Sequence, residues 1–212
     1  MVVSTPLAVL TIEDSASDAG LMVRHLQQAG FTVMHQRVET AAQLRAALAV
    51  RTWDLVLSDF SLPGFDAGAA LAILRETGLD LPFIVVSGVI QETAAIELMR
   101  SGAHDYLMKD DLGRLAPAVR RELAEAHERR EHRRADAALR ESEARYRDLF
   151  EANPHPMWVY DLETLAFLAV NDAAIAHYGY SRAEFLAMTP QDICPLGDIP
   201  KLLANIARVS AG

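Results

Sequence analysis

Asp59 ends the apolar run at residues 55–58 and stands just ahead of a Pro63-Gly64 break. Glu13 and Asp14 end another apolar run, 7–12, Ser87 ends a third, 83–87, and Lys109 follows a short fourth, 105–108. Three carboxylates, a hydroxyl and a primary amine are the groups that phosphoryl transfer to a carboxylate requires. If the acids converge, their mutual repulsion calls for a cation. An all-oxygen site with water in its remaining positions suits Mg²⁺ better than zinc, which prefers His or Cys. Asp59, standing alone, is then the nucleophile that becomes an aspartyl phosphate, and the Glu13-Asp14 pair holds metal directly or through water. Ser87 offers a hydroxyl to one phosphoryl oxygen and Lys109 a compact cation to another.

Each piece alone has a plainer reading. Asp14 or Ser15 can cap a helix, Asp59 can merely end a strand, Ser87 is an ordinary strand-end residue, and Lys109 can sit in water. Their joint placement at successive strand ends carries the chemical reading. Among the twenty Lys and Arg residues only Lys109 and Lys201 are lysines, and one of them falls at such an end.

The elements that must bring these residues together follow from periodicity. Residues 7–12, 31–38, 55–58, 83–87 and 105–108 read as strands, while 18–28, 41–50, 68–75 and 93–100 place apolar residues three and four apart. Gly30, Gly78 and Gly102 follow three of the helices as natural stops. A fifth helix starts near Leu112 or Leu115. Strand-helix alternation of this kind predicts a five-stranded, doubly wound parallel sheet, flavodoxin-like, in the order 2-1-3-4-5. In that order strands one and three are neighbours, and ligands bind outside their carboxyl ends.

Composition limits the possible functions. A net charge of -9 and a pI near 5.2 argue against nucleic-acid binding by this chain, since phosphate backbones are attracted to Lys/Arg surfaces. The single Cys194 cannot form an internal disulfide, there is no signal-peptide pattern, and no apolar stretch is long enough to span a bilayer, so a cytoplasmic location away from the membrane is expected. With 51% hydrophobic and 23% charged residues the chain can bury a core.

Residues from about Leu7 to Leu123 resemble a response-regulator receiver domain of two-component signalling. The likeness is carried by "IEDS" with Glu13 and Asp14, "LSDFSLPGFDAGAAL" with Asp59 and Pro63, "FIVVSG" with Ser87, and "AHDYLMKDD" with Tyr106 and Lys109. The resemblance implies that a histidine kinase or phosphotransfer protein phosphorylates Asp59. It also implies Mg²⁺ on Asp14, Asp59 and the backbone carbonyl of Ser61, with Glu13 helping through water. Ser87 and Tyr106 would act as switch residues that alter the face formed by strands four and five with helix four. Two positions depart from the family pattern. Asp110 stands where a proline is usual, so no cis peptide is expected there, and Ala67 precedes Gly68 where a glycine is common, which could shift the start of helix three.

Residues 120–148 contain no Gly or Pro and carry nine arginines against eight acidic residues. Leu115, Val119, Leu123 and Ala126, then Ala135, Leu139, Ser142, Tyr146 and Leu149, recur at helical spacing. They suggest a homodimeric coiled coil through residues 115–149, set against a single solvated helix with Glu-Arg pairs. From about Tyr146 the chain resembles the first part of a PAS sensory domain, on Asn153-Pro154, Val170-Asn171 and "HYGYSRAEFLAM". The expected division is a receiver at 1–118, a helical linker at 119–148 continuous with the fifth receiver helix, and an incomplete, partial α+β PAS-like region at 149–212. His155 and His177 read as surface or packing residues rather than haem ligands, and Trp158 and Tyr160 as core.

The functional expectation is a phosphoacceptor regulatory module, not itself an enzyme, with an output beyond residue 212. The alternative is the regulatory front of a larger signalling enzyme, a histidine kinase or cyclic-dinucleotide enzyme, cut inside its PAS domain. A flavin carrier on the same topology is disfavoured because "EDSASD" after strand one would repel a flavin phosphate.

Overall fold

Strand β1, Thr5–Ile12, opens a sheet in which successive side chains face opposite layers of helices. The computed structural model describes residues 5–89, 92–195, 197–198, 200–201 and 204, and the chain divides into two compact units, Met1–Arg134 and Ala135–Gly212.

In the first unit β1 is followed by α1 (Ala16–Gln28), β2 (Phe31–Val38), α2 (Ala41–Val50) and β3 (Leu55–Asp59). A two-residue hairpin, β4 (Ser61–Leu62) and β5 (Phe65–Asp66), precedes α3 (Ala67–Glu76), β6 (Phe83–Ser87), α4 (Glu92–Arg100) and β7 (Asp105–Met108). The main sheet is parallel throughout, in the order β2-β1-β3-β6-β7 expected from the sequence. Helix starts are set by side-chain caps: Ser15 accepts from the Asp18 N–H at 3.2 Å, Thr40 from Gln43 at 3.3 Å and Asp66 from Ala69 at 2.7 Å. Asp66 therefore fixes the start of α3 at Ala67.

The alternation along β1, β3 and β6 sorts apolar side chains into two cores. Leu10, Ile12, Val56, Phe83 and Val85 pack with α2, α3 and Leu98 of α4, whereas Leu7, Val9, Leu55, Leu57, Ile84 and Val86 pack with Met22 and Leu26 of α1 and with Leu115 and Val119. Burying each such side chain contributes about 1.5–3 kcal/mol, so a strand enclosed on both faces reads as a continuous apolar run.

The Pro63-Gly64 break forms the tip of the β4–β5 hairpin, where Gly64 takes φ +75°, a conformation costly for any residue with a Cβ. The sequence had indicated only a turn here. Two residues per strand are too few to leave a periodic signal.

A 3₁₀ turn, Leu112–Arg114, leads into α5, Leu115–Glu151. Its opening stripe is not free for a partner helix, contrary to the expected seam. Leu115, Val119 and Ala126 are buried in the first unit, the first two within the core shared with α1. Arg129 and Arg133 extend the attachment through Asp80, with Arg129 at 3.1 Å and Arg133 also paired. From Ala135 to Leu149 every residue but Asp136 is exposed.

The second unit holds an antiparallel pair, β8 (Trp158–Tyr160) and β9 (Phe167–Val170), then α6 (Asp172–Tyr178), α7 (Arg182–Leu186) and α8 (Pro190–Ile193). Phe167, Val170, Ala174 and Phe185 form its core, with Trp158 and Tyr160 packed against them. Phe167 and Phe185 meet edge to face at 5.6 Å. Gly179 ends α6 in the left-handed conformation, φ +79°. Asn171 caps α6 and is fully buried. No helix among the described residues is long and apolar enough to cross a membrane.

Candidate functional site

Parallel register aligns the ends of β1, β3, β6 and β7. Ile12 pairs with Ser58, Asp59 with Val86, and Ser87 with Met108, so Glu13, Asp59, Ser87 and Lys109 emerge along one edge of the sheet. Carboxylate oxygens of Glu13, Asp14 and Asp59 all lie within 4.8 Å of one another.

Lys109 joins the acids. Its Nζ lies 3.0 Å from Asp59 Oδ2, 2.9 Å from Glu13 Oε2 and 2.8 Å from Asp18 Oδ2. Burial works against its charge, but its contacts with the three carboxylates outweigh that penalty and hold its pKa above the ordinary lysine value. Glu13 is fully buried, and burial raises its pKa despite the neighbouring ammonium. Its Oε1 accepts from the Ser15 N–H at 3.2 Å, while Oε2, in ion-pair range of Lys109, has no hydrogen-bond partner. Asp59 is mostly buried, and its Oδ1 accepts from the Phe60 N–H at 2.6 Å.

Ser87 and Tyr106 occupy the neighbouring loop. The Ser87 hydroxyl donates to the Val89 carbonyl at 2.9 Å and accepts from the Val89 N–H at 3.2 Å, so here it faces its own loop. The Tyr106 hydroxyl donates to the same carbonyl at 3.1 Å. One peptide oxygen thus ties together the two residues read as switches. The Lys109 N–H donates to the Ser87 carbonyl at 2.7 Å, joining this loop to the acidic cluster. Ser61 lies in β4, two residues beyond Asp59. No peptide bond among the described residues is cis, and the Lys109–Asp110 bond is among them.

Two contributors escaped the sequence reading. Asp18, one helical turn after Asp14, reaches Lys109 from α1, and that hydrogen bond lowers its pKa. The i,i+4 spacing of Asp14 and Asp18 was the available signal, but it reads equally as a charged first turn. Arg37 of β2 donates to the backbone carbonyls of Glu13 and Asp14, each at 2.9 Å, and so braces the acidic loop. Nothing in the local sequence marks it, because the contact depends on β2 lying beside β1.

The donor set fits a hard divalent cation. Its oxygens converge, and buried Glu13 Oε2 retains unused acceptor capacity. His155 and His177 are exposed in the second unit and take no part in the cluster.

Comparison with known proteins places this geometry. The family model described as "Response regulator receiver domain" matches residues 9–120, and a PAS domain model matches 144–208. The chain is 31% identical over 126 residues to the DNA-binding transcriptional regulator NtrC of Escherichia coli K12, covering 59% of this chain and 26% of that protein. It is 24% identical over 207 residues to the transcriptional regulatory protein ZraR of Salmonella typhimurium, covering 95% of this chain and 44% of that one. Full-length FixJ from B. japonicum superposes with a TM-score of 0.52 at 26% identity, over 58% of this chain and 60% of FixJ. The chain therefore spans about a quarter of NtrC and less than half of ZraR.

Proposed function

Because this chain belongs to the response-regulator receiver family, we propose that it is a phosphoacceptor that takes a phosphoryl group onto Asp59 from a histidine kinase or phosphotransfer protein. The observation that carries this reading is the Asp59 carboxylate, partly open at the sheet edge, with Lys109 Nζ 3.0 Å from one oxygen and the oxygens of Glu13 and Asp14 close by.

In the proposed reaction an Asp59 oxygen attacks phosphorus, the phosphorus–nitrogen bond of the donor phosphohistidine breaks, and its electron pair returns to the imidazole. Asp14, Asp59 and the Ser61 carbonyl would hold Mg²⁺, with Glu13 assisting through water. When bound, the ion neutralises the acids and the charge developing on the phosphoryl oxygens. Lys109 holds a second phosphoryl oxygen from the opposite end of the cluster. Ser87 turns its hydroxyl from the Val89 carbonyl toward a third, and Tyr106, tied to the same carbonyl, is released to move.

The signal then passes from a receiver at 1–118 along a helical segment at 119–148 to the PAS-like region at 149–212, and on to an output outside this chain. Transcriptional control is the output suggested by NtrC and ZraR; the signalling-enzyme alternative differs only in what lies beyond. Since the first half of the apolar stripe is buried, a homodimer contact would use Leu139, Tyr146 and Leu149, all more than half exposed.

The test is incubation with Mg²⁺ and a small acyl phosphate, followed by intact mass and sedimentation. One added phosphoryl group is expected, absent in Asp59→Asn, with a change in sedimentation on phosphorylation. A protein that gains no mass, or an Asp59→Asn variant that still gains it, would overturn the reading.

A further inference from the structure

Lys109 has three N–H donors and three carboxylate neighbours, at 2.8, 2.9 and 3.0 Å. To serve a phosphoryl oxygen, the ammonium must give up part of this arrangement. The three acids differ in what holds them. Glu13 is fully buried at a strand end and fixed by the Ser15 N–H. Asp59 is the acceptor itself. Asp18 projects from the first turn of α1 with its side chain 41% exposed, and it makes the shortest of the three contacts. It can rotate into water at little cost in solvation. A cavity of about 170 Å³, lined by Asp18, Leu21, Met22, Lys109 and Leu112, lies beside it and leaves room for the movement.

We propose that Asp18 is a positioning residue that competes with the incoming phosphoryl group for Lys109. It holds the amine in the resting site and, by having to yield it, slows phosphorylation of Asp59. The inference rests on the phosphoacceptor reading above and adds a control residue to it. Two effects act in the same direction. While Asp18 pairs with Lys109, one donor is withheld from the phosphoryl oxygens, and its negative charge lies beside the path of an anionic donor. Its carboxylate is not part of the Glu13-Asp14-Asp59 group that could hold a metal ion.

The experiment compares the wild-type chain with Asp18→Asn and Asp18→Glu, using a small acyl phosphate in Mg²⁺ for the rate and beryllofluoride titration for affinity of a phosphoryl mimic. Loss of a partly exposed ion pair predicts that Asp18→Asn is phosphorylated roughly two- to fivefold faster and binds beryllofluoride more tightly by a similar factor. Asp18→Glu, which keeps the charge and can still reach Lys109, should behave like wild type. A purely structural role for Asp18 would slow the asparagine variant, so a gain is diagnostic. Unchanged or reduced values in Asp18→Asn, with wild type phosphorylated and Asp59→Asn inert, would overturn this proposal alone. If wild type is not phosphorylated, or Asp59→Asn is, the phosphoacceptor reading fails and this proposal falls with it.

Discussion

Glu13 in the first unit and Asn171 in the second are both polar side chains with no exposed surface, yet their surroundings are opposite. Asn171 Oδ1 accepts from the N–H groups of Met157 and Ala174, both at 2.9 Å. Its Nδ2 faces the carbonyls of Phe150, Asn153 and His155 at 3.1, 3.3 and 2.9 Å. Every polar atom is used, and the residue ties the end of α5 and the loop approaching β8 to the start of α6. Glu13 has one oxygen held by the Lys109 ion pair alone, at 2.9 Å, and a charge that burial opposes. A satisfied buried amide specifies one structure; a congested buried carboxylate keeps capacity for a ligand. Structural and functional burial are distinguished by what acceptor capacity is left over.

The contrast breaks most visibly at Asn171. Asn171→Ala leaves several buried backbone groups unpaired and should destabilise the second unit by about 3 kcal/mol or more. Hydrogen-exchange mass spectrometry, which reads the units separately, should show protection lost across β8, β9 and α6 and kept in the receiver sheet. Unchanged protection in β8 and β9 would mean that Asn171 is not the tie described.

Glu13→Gln should move stability the other way. The folded-state pKa of Glu13 is raised, so its ionised form at neutral pH costs stability, and that cost grows as pH rises through the folded value. Removing the charge should stabilise the receiver in Mg²⁺-free urea unfolding, while weakening Mg²⁺ binding in calorimetry. Destabilisation would show that the Lys109 ion pair outweighs the burial.

A smaller effect is expected at His104, a half-buried polar group of the receiver that is again satisfied. Its Nδ1 accepts the Phe83 N–H at 3.1 Å, and burial, reinforced by the Arg129 charge, lowers its pKa, with Asp80, Glu122 and Glu125 opposing. The unfolded chain therefore binds a proton that the folded one resists, and stability is lost as pH falls from about 6.5 through the folded value. His104→Asn, which retains an acceptor, should flatten that slope by about 0.5 kcal/mol or more between pH 7 and 5 in urea unfolding. An unaltered slope would assign the acid sensitivity elsewhere, His35 being another histidine with a lowered pKa.

Much of this molecule is determined locally. Alternating runs bounded by Gly and by capping residues specified five strands and their helices, and the acids, hydroxyl and lysine at successive strand ends marked the site, because periods of 2 and 3.6 and the ends of apolar runs are written in short windows. What the tertiary structure decided lies between distant segments. Asp18 meets Lys109 across 91 positions, Arg37 braces the acidic loop from β2, and Asp80 fastens Arg129 and Arg133. The apolar stripe of α5 illustrates the limit: its spacing showed that Leu115, Val119 and Ala126 need cover, but only the packed sheet showed that the receiver itself supplies it. Periodicity states that a face will be buried, while the identity of its partner is a property of three-dimensional approach, which no short window contains.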